Sequence, residues 1–231
     1  MTAYTIFGTV NTLLIIGSLI GVFSQLRTIW QRKTHPTGNS SPTALLSLNQ
    51  FSVSYLAYLS FFIYGYSIEP FNHYIVWPRL IASILVLLIL LEIFKDRKTR
   101  ASRASVGFAC IALALGVAGL FIGETFADEG RTVSTIIILV VSILIAQGYF
   151  HQIRLIVRSG STGAVDLTMS QFILMMDIST IAFAFSMGLE NGWPLLVLAT
   201  TSGVTKIIIW YLFHWVKCSH TAEIRRNSMI S

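Results

Sequence analysis

The sequence predicts an all-α membrane protein of seven transmembrane helices, laid out as three helices, a linker helix and three more. Three observations carry this. Of 231 residues, 54% are hydrophobic and 11% charged, against roughly a quarter charged in a soluble domain. The apolar residues fall in blocks of about twenty, the length at which a helix crosses a bilayer core. One stretch also occurs twice: Gln25–Pro42, QLRTIWQRKTHPTGNSSP, and Gln152–Asp166, QIRLIVRSGSTGAVD, each run from an apolar block through basic residues into a small polar turn.

Seven segments follow, from about Tyr4 to Trp30, Thr43 to Tyr66, His73 to Phe94, Ser105 to Phe126, Thr132 to Val157, Val165 to Gly188 and Trp193 to Lys217. Hydrocarbon offers the backbone no hydrogen-bond partners, so each segment is expected to be a helix. The first has an uncharged start and no small-x-small cleavage site, and reads as a retained helix rather than a signal peptide. The domains expected are a first triple-helix repeat over 1–98, a linker helix over 99–130, a second repeat over 131–218 and a tail over 219–231.

The formal charge of +6 is a topology signal rather than a nucleic-acid patch. Arg27, Arg32, Lys33, Lys95, Arg97, Lys98, Arg100, Arg103, Arg154, Arg158, Lys217, Arg225 and Arg226 fall on one side of the layout. Arg131 falls on the other, with Glu69, Glu124, Asp128, Glu129 and Glu190. The positive-inside rule then puts the N-terminus outside and the C-terminus in the cytoplasm. Cys110 and Cys218 form neither a disulfide framework nor a metal spacing. The chain calls for no cofactor.

The duplication extends beyond the loops. Asn49-Gln50-Phe51 approaches the middle of segment two, and Ser170-Gln171-Phe172 matches it in segment six. Segments three and seven open with Trp77-Pro78 and Trp193-Pro194, where a first-turn proline costs little because its missing N–H would have no partner. An odd fourth helix lets both triplets face the same way, as parallel repeats about an axis along the membrane normal. That helix carries Gly116, Gly119 and Gly123, small residues suited to close packing. Packing inside the monomer is favoured for them, and homo-oligomerisation is left open.

On these residues the chain resembles the PQ-loop superfamily, which includes the SWEET sugar facilitators and cystinosin. Gln25-x-Arg27 and Gln152-x-Arg154 carry the resemblance, with Ser161-Thr162-Gly163, Tyr64-Gly65 and Gly203-x-x-Lys206. Ser24-Gln25 and His151-Gln152 stand where the family has Pro-Gln, and the prolines that bend the partner helices in SWEETs are missing near Gln50 and Gln171. The resemblance implies a three-plus-one-plus-three fold and solute transport. The Gln-x-Arg and Ser-Thr-Gly residues sit at gating positions in that reading.

Three charges fall well inside apolar segments: Arg79, Asp177 and Lys206. An unpaired mid-helix charge costs at least about 2.5–3.5 kcal/mol, so such residues pair or face the bundle. Asp177 and Lys206 lie near the middle of consecutive antiparallel segments. Two readings stay open for them: a structural salt bridge, or a cavity lining that binds a charged or zwitterionic solute or carries a proton at Asp177. Arg79, a turn or two inside its helix, is expected to snorkel to the interface, with a cavity role as the alternative. Asn49, Gln50 and Gln171 either glue helices together or line the cavity, and the matched Gln50/Gln171 pair favours the second.

The leading expectation is a small-solute transporter working by alternating access between the triplets. Its partners would be the lipid bilayer and an amino acid-like, zwitterionic or sugar solute, moved with or without protons. A seven-helix receptor or scaffold without flux is the alternative. A retinal protein attached through Lys206 is a remote third. No nucleophile elbow, metal cluster or phosphate loop points to an enzyme.

Overall fold

The computed structural model describes residues 2–34, 43, 46–122, 127–162 and 167–227. All the regular structure in them is helical: α1 (Ala3–Thr34), α2 (Leu48–Ser67), α3 (His73–Arg97), α4 (Arg100–Ile122), α5 (Ala127–Ser159), α6 (Leu167–Ser186), α7 (Leu189–Cys218) and α8 (His220–Asn227). Among the described residues, five stretches are long and apolar enough to cross a membrane: Ala3–Gln31, His73–Arg97, Arg100–Ile122, Asp128–Phe150 and Leu189–Cys218. The apolar stretch of α6, Ser170–Ser186, is shorter. Helix α2, LNQFSVSYLAYLSFFIYGYS, mixes its aliphatic residues with hydroxyls and aromatics. This is a helical chain of the multi-pass membrane type.

Two compact units make up the chain: Thr12–Val141, and Met1–Asn11 with Ser142–Ser231. In the first, α2, α3 and α4 close on Tyr55, Leu59, Phe62, Val76, Val86, Leu90, Val106 and Ala109. The Tyr55 hydroxyl donates to the Ala109 carbonyl at 2.6 Å, the partner a buried phenol needs. Leu26 and Ile29 of α1 pack on Ile89 and Ile93 of α3. Gly116 and Gly119 serve packing within the monomer, as expected. A methyl group at Gly116 would meet Leu59 at 3.4 Å, and one at Gly119 would meet the Tyr66 hydroxyl at 2.6 Å. Gly123 lies outside the described residues.

Helix α2 begins later than the sequence implies, at Leu48 rather than near Thr43. The end of α3 holds the preceding chain. Thr43 donates its backbone N–H to Asp96 Oδ2 at 3.0 Å, and its hydroxyl to the same oxygen. The Arg97 guanidinium donates to the carbonyls of Thr43 and Leu46. The Gln50 N–H goes instead to the Ser47 side chain at 3.3 Å, so Ser47 caps the helix. Asn49 and Gln50 therefore stand in the first turn, not near the middle.

The two prolines also sit deeper than expected: Pro78 and Pro194 are each the sixth residue of their helix. A proline there frees the carbonyl four residues back. For Pro78 that carbonyl is Tyr74 O, and the Thr12 hydroxyl of α1 donates to it at 3.3 Å. Near the other end of α3, buried Glu92 forms ion pairs with Lys33 and, at 3.0 Å, with Lys95.

In the second unit α6 packs along α7. At Gly192 the approach is so close that an added Cβ would lie 2.1 Å from the Ala184 carbonyl oxygen. Ile156 of α5 packs against Leu212 and Val216 of α7. Helix α8, HTAEIRRN, is too polar to be read as a span and too short to be stable alone. Ala222 is buried, and the Arg225 guanidinium lies 5.9 Å from the Trp215 ring and donates to Val157 O at the end of α5.

Candidate functional site

The second unit holds a layer of buried polar side chains in an apolar surround. Asn11, Asp177, Thr180, Ser202 and Lys206 are all buried. Asp177 and Lys206, which combine burial with charge, are only 5% and 6% exposed. Both stand in the mainly apolar sequences of α6 and α7, whose apolar neighbours settle the helix positions and carry the charged groups inward with them.

Lys206 is held by an aromatic face. Its Nζ lies 4.2 Å from the centroid of the Tyr149 ring on α5, where the ring quadrupole attracts a cation. The ion pair between Asp177 and Lys206, one of the two readings their positions left open, is not among those that side-chain distances define between described residues. Asp177 packs toward Gly203: a methyl group added there would meet Asp177 Cβ at 3.6 Å and Oδ2 at 3.9 Å. Gly203 and Lys206 are three residues apart on α7, which advances about 4.5 Å along the axis. The acid and the base therefore stand about one helical turn apart in level.

One turn further along α6, Asn11 supplies the amide of the layer. Its Oδ1 accepts from Thr180 Oγ1 at 2.8 Å and Ser179 Oγ at 3.1 Å. Both hydroxyls also lie 2.9 Å from the Met176 carbonyl, so each is shared between the amide and its own helix. The Tyr4 ring lies tilted against that of Phe183, with 5.5 Å between centroids.

The other expected site residues are elsewhere. Asn49, Gln50 and Gln171 are exposed, and the two glutamines do not join the buried layer. Arg79 is half-buried, with its guanidinium 5.5 Å from the Tyr58 ring and 5.3 Å from that of Phe61. These contacts tie it to α2. Gln25, Arg27 and Arg154 are exposed on their helices, and Ser161 and Thr162 are half-buried beyond the end of α5. The Gln152 side chain and all of Gly163 lie outside the described residues.

Asn11 and Tyr149 carried no signal as single residues, because an amide or a tyrosine in an apolar block is ordinary. The sequence repeat adds a signal only at Asp177 and Lys206. Asp177 and Leu56 each stand six residues beyond the matched glutamines, and Lys206 and Leu90 each twelve beyond the matched prolines. Leu56 and Leu90 line one cavity of about 240 Å³ in the first unit. The second unit thus carries an acid and a base at the positions where the first carries two leucines.

The chain matches no protein-family model and no curated protein.

Proposed function

We propose that the protein is a seven-helix, three-plus-one-plus-three membrane transporter of small charged or zwitterionic solutes, with its N-terminus outside and its C-terminus cytoplasmic. One observation carries the substrate class: an acid and a base, Asp177 and Lys206, are both buried in the second unit, about one helical turn apart in level. Keeping both in an apolar bundle is costly, and neutral residues fill the matching places in the first repeat. A zwitterion matches them group for group, its ammonium at Asp177 and its carboxylate at Lys206. Asn11 and the Ser179 and Thr180 hydroxyls add uncharged hydrogen-bonding capacity beside them. Lys206 then exchanges a ring face for a carboxylate on binding, which makes the site responsive to occupancy. Alternating access of the two repeats would carry the solute across.

The test is the thermal midpoint of the purified protein against amino acids, polyamines and sugars. A ligand of the folded state at a hundredfold excess over its Kd stabilises by about 2.7 kcal/mol. The expected result is a shift by zwitterions, lost in Asp177→Asn and in Lys206→Gln. Shifts by sugars alone, indifferent to both substitutions, would make the charges structural.

A further inference from the structure

The first unit contains a cavity that the transport reading does not use. It measures about 340 Å³ and lies along α2, α4 and the start of α5, against Leu59, Ile63, Phe108, Leu115, Val133 and Ile137. Its walls are almost wholly apolar. Glu129, Gly130 and Tyr66 lie at one end, and Leu56 and Phe108 lead from the other into the 240 Å³ cavity bounded by Ser52 and Ser105.

The shape is that of a slot for one chain. From Tyr66 to Leu56 is ten residues of helix, about 15 Å at 1.5 Å per residue, or half of a hydrocarbon core about 30 Å thick. The slot is therefore one leaflet deep. A sugar or a free amino acid would leave its polar groups without partners against these walls.

The polar end selects the head group. The Glu129 carboxylate lines the mouth, and Asp128 beside it is also exposed. Arg131, the nearby cation, is hydrogen-bonded to the buried Tyr64 hydroxyl. The Ser67 hydroxyl is buried and makes no hydrogen bond among the described residues. It lies against Gly130, where an added Cβ would come within 2.6 Å of it. Glycine at that position lets the start of α5 close on α2 at the end of the slot, where Tyr66 and Glu129 are the polar lining residues.

We propose that this slot binds a long-chain amine, with its ammonium at Glu129 and its alkyl chain along α2 and α4. An ammonium has three donors for the Glu129 carboxylate and the Tyr66 hydroxyl at that end, whereas a fatty acid of the same length would bring like charge to Glu129.

The test is photolabelling of the full chain in nanodiscs of neutral lipid, with hexadecylamine carrying a mid-chain diazirine and labelled residues located by mass spectrometry. The expected labels fall on α2, α4 and α5 at the slot residues, and unlabelled hexadecylamine displaces them while palmitate does not. Glu129→Gln, an exposed site that leaves the fold intact, should lower labelling about threefold to fivefold, the scale of one exposed ion pair. Ala112→Phe, which fills the slot, should abolish it with the thermal midpoint retained. Equal displacement by palmitate, labelling unchanged in Glu129→Gln, or labels spread over the other helices would each overturn the proposal.

Discussion

The ammonium of Lys206 lies over the ring of Tyr149, 4.2 Å from its centroid, and this contact joins α7 to α5 at the level of the buried polar layer. A desolvated cation–π contact is worth about 2 kcal/mol or more. Tyr149→Leu should therefore destabilise the protein by about that amount in a reversible unfolding titration, while Tyr149→Phe, which keeps the ring face, should cost far less. In a Lys206→Met background both changes should be nearly silent, since the cation is gone.

Asn11 tests a weaker bond type. Interhelical hydrogen bonds in membranes average about 0.6 kcal/mol, with a maximum of about 1.7. Asn11→Ala removes an acceptor from two hydroxyls that retain the Met176 carbonyl within 2.9 Å. The expected loss is about 1 kcal/mol, measured by the same titration, and a loss above about 3 kcal/mol would mean that Asn11 does more than link α1 to α6.

Two glycines of α7 separate packing from function. At Gly192 an added Cβ would lie 2.1 Å from the Ala184 backbone oxygen, and backbone cannot move aside as a side chain can. Gly192→Ala should fail to fold, or melt far below the parent. At Gly203 a methyl group meets only ordinary contacts, with 3.6 Å to the nearest atom of Asp177. Gly203→Ala should fold normally, while Gly203→Leu should press on Asp177 and reduce solute binding more than it lowers the thermal midpoint.

The segment before α2 depends on α3. Asp96 accepts from Thr43, and Arg97 donates to the carbonyls of Thr43 and Leu46. Arg97→Gln should free this stretch and raise its amide hydrogen exchange, with α2 beyond Ser47 unaffected because its own cap persists. Unchanged exchange at Leu46 and Ser47 would show that the clamp is not needed.

The apolar blocks were legible because a long apolar helix advertises itself by length and composition: α1 and α3 to α7 overlie six of them, and five stretches of the described residues are long and apolar enough to cross a membrane. The boundary of α2 was not, because it is set by Arg97 and Asp96 from another helix, and no local pattern encodes that reach. Helix α8 escaped for a similar reason: its eight residues are polar, and Ala222 and Arg225 hold it against its neighbours. At the site, Asp177 and Lys206 stood out as charges in apolar segments. Whether they pair or line a cavity was not legible, because residue spacing gives depth along a helix but not rotation about it, and rotation turns Lys206 toward Tyr149. Asn11 and Glu92 were overlooked: the first is one amide in a long apolar block, and the second reads as part of a charged helix end until its ion pairs with Lys33 and Lys95 are seen.

Flux tests the central claim most directly. Reconstituted into liposomes, the protein should exchange a radiolabelled zwitterionic amino acid across the bilayer, with the rate reduced at least about tenfold in Asp177→Asn or Lys206→Gln, the scale of one lost charge-assisted contact. Binding of the same solute with no exchange above protein-free liposomes would contradict transport and leave a seven-helix receptor or scaffold.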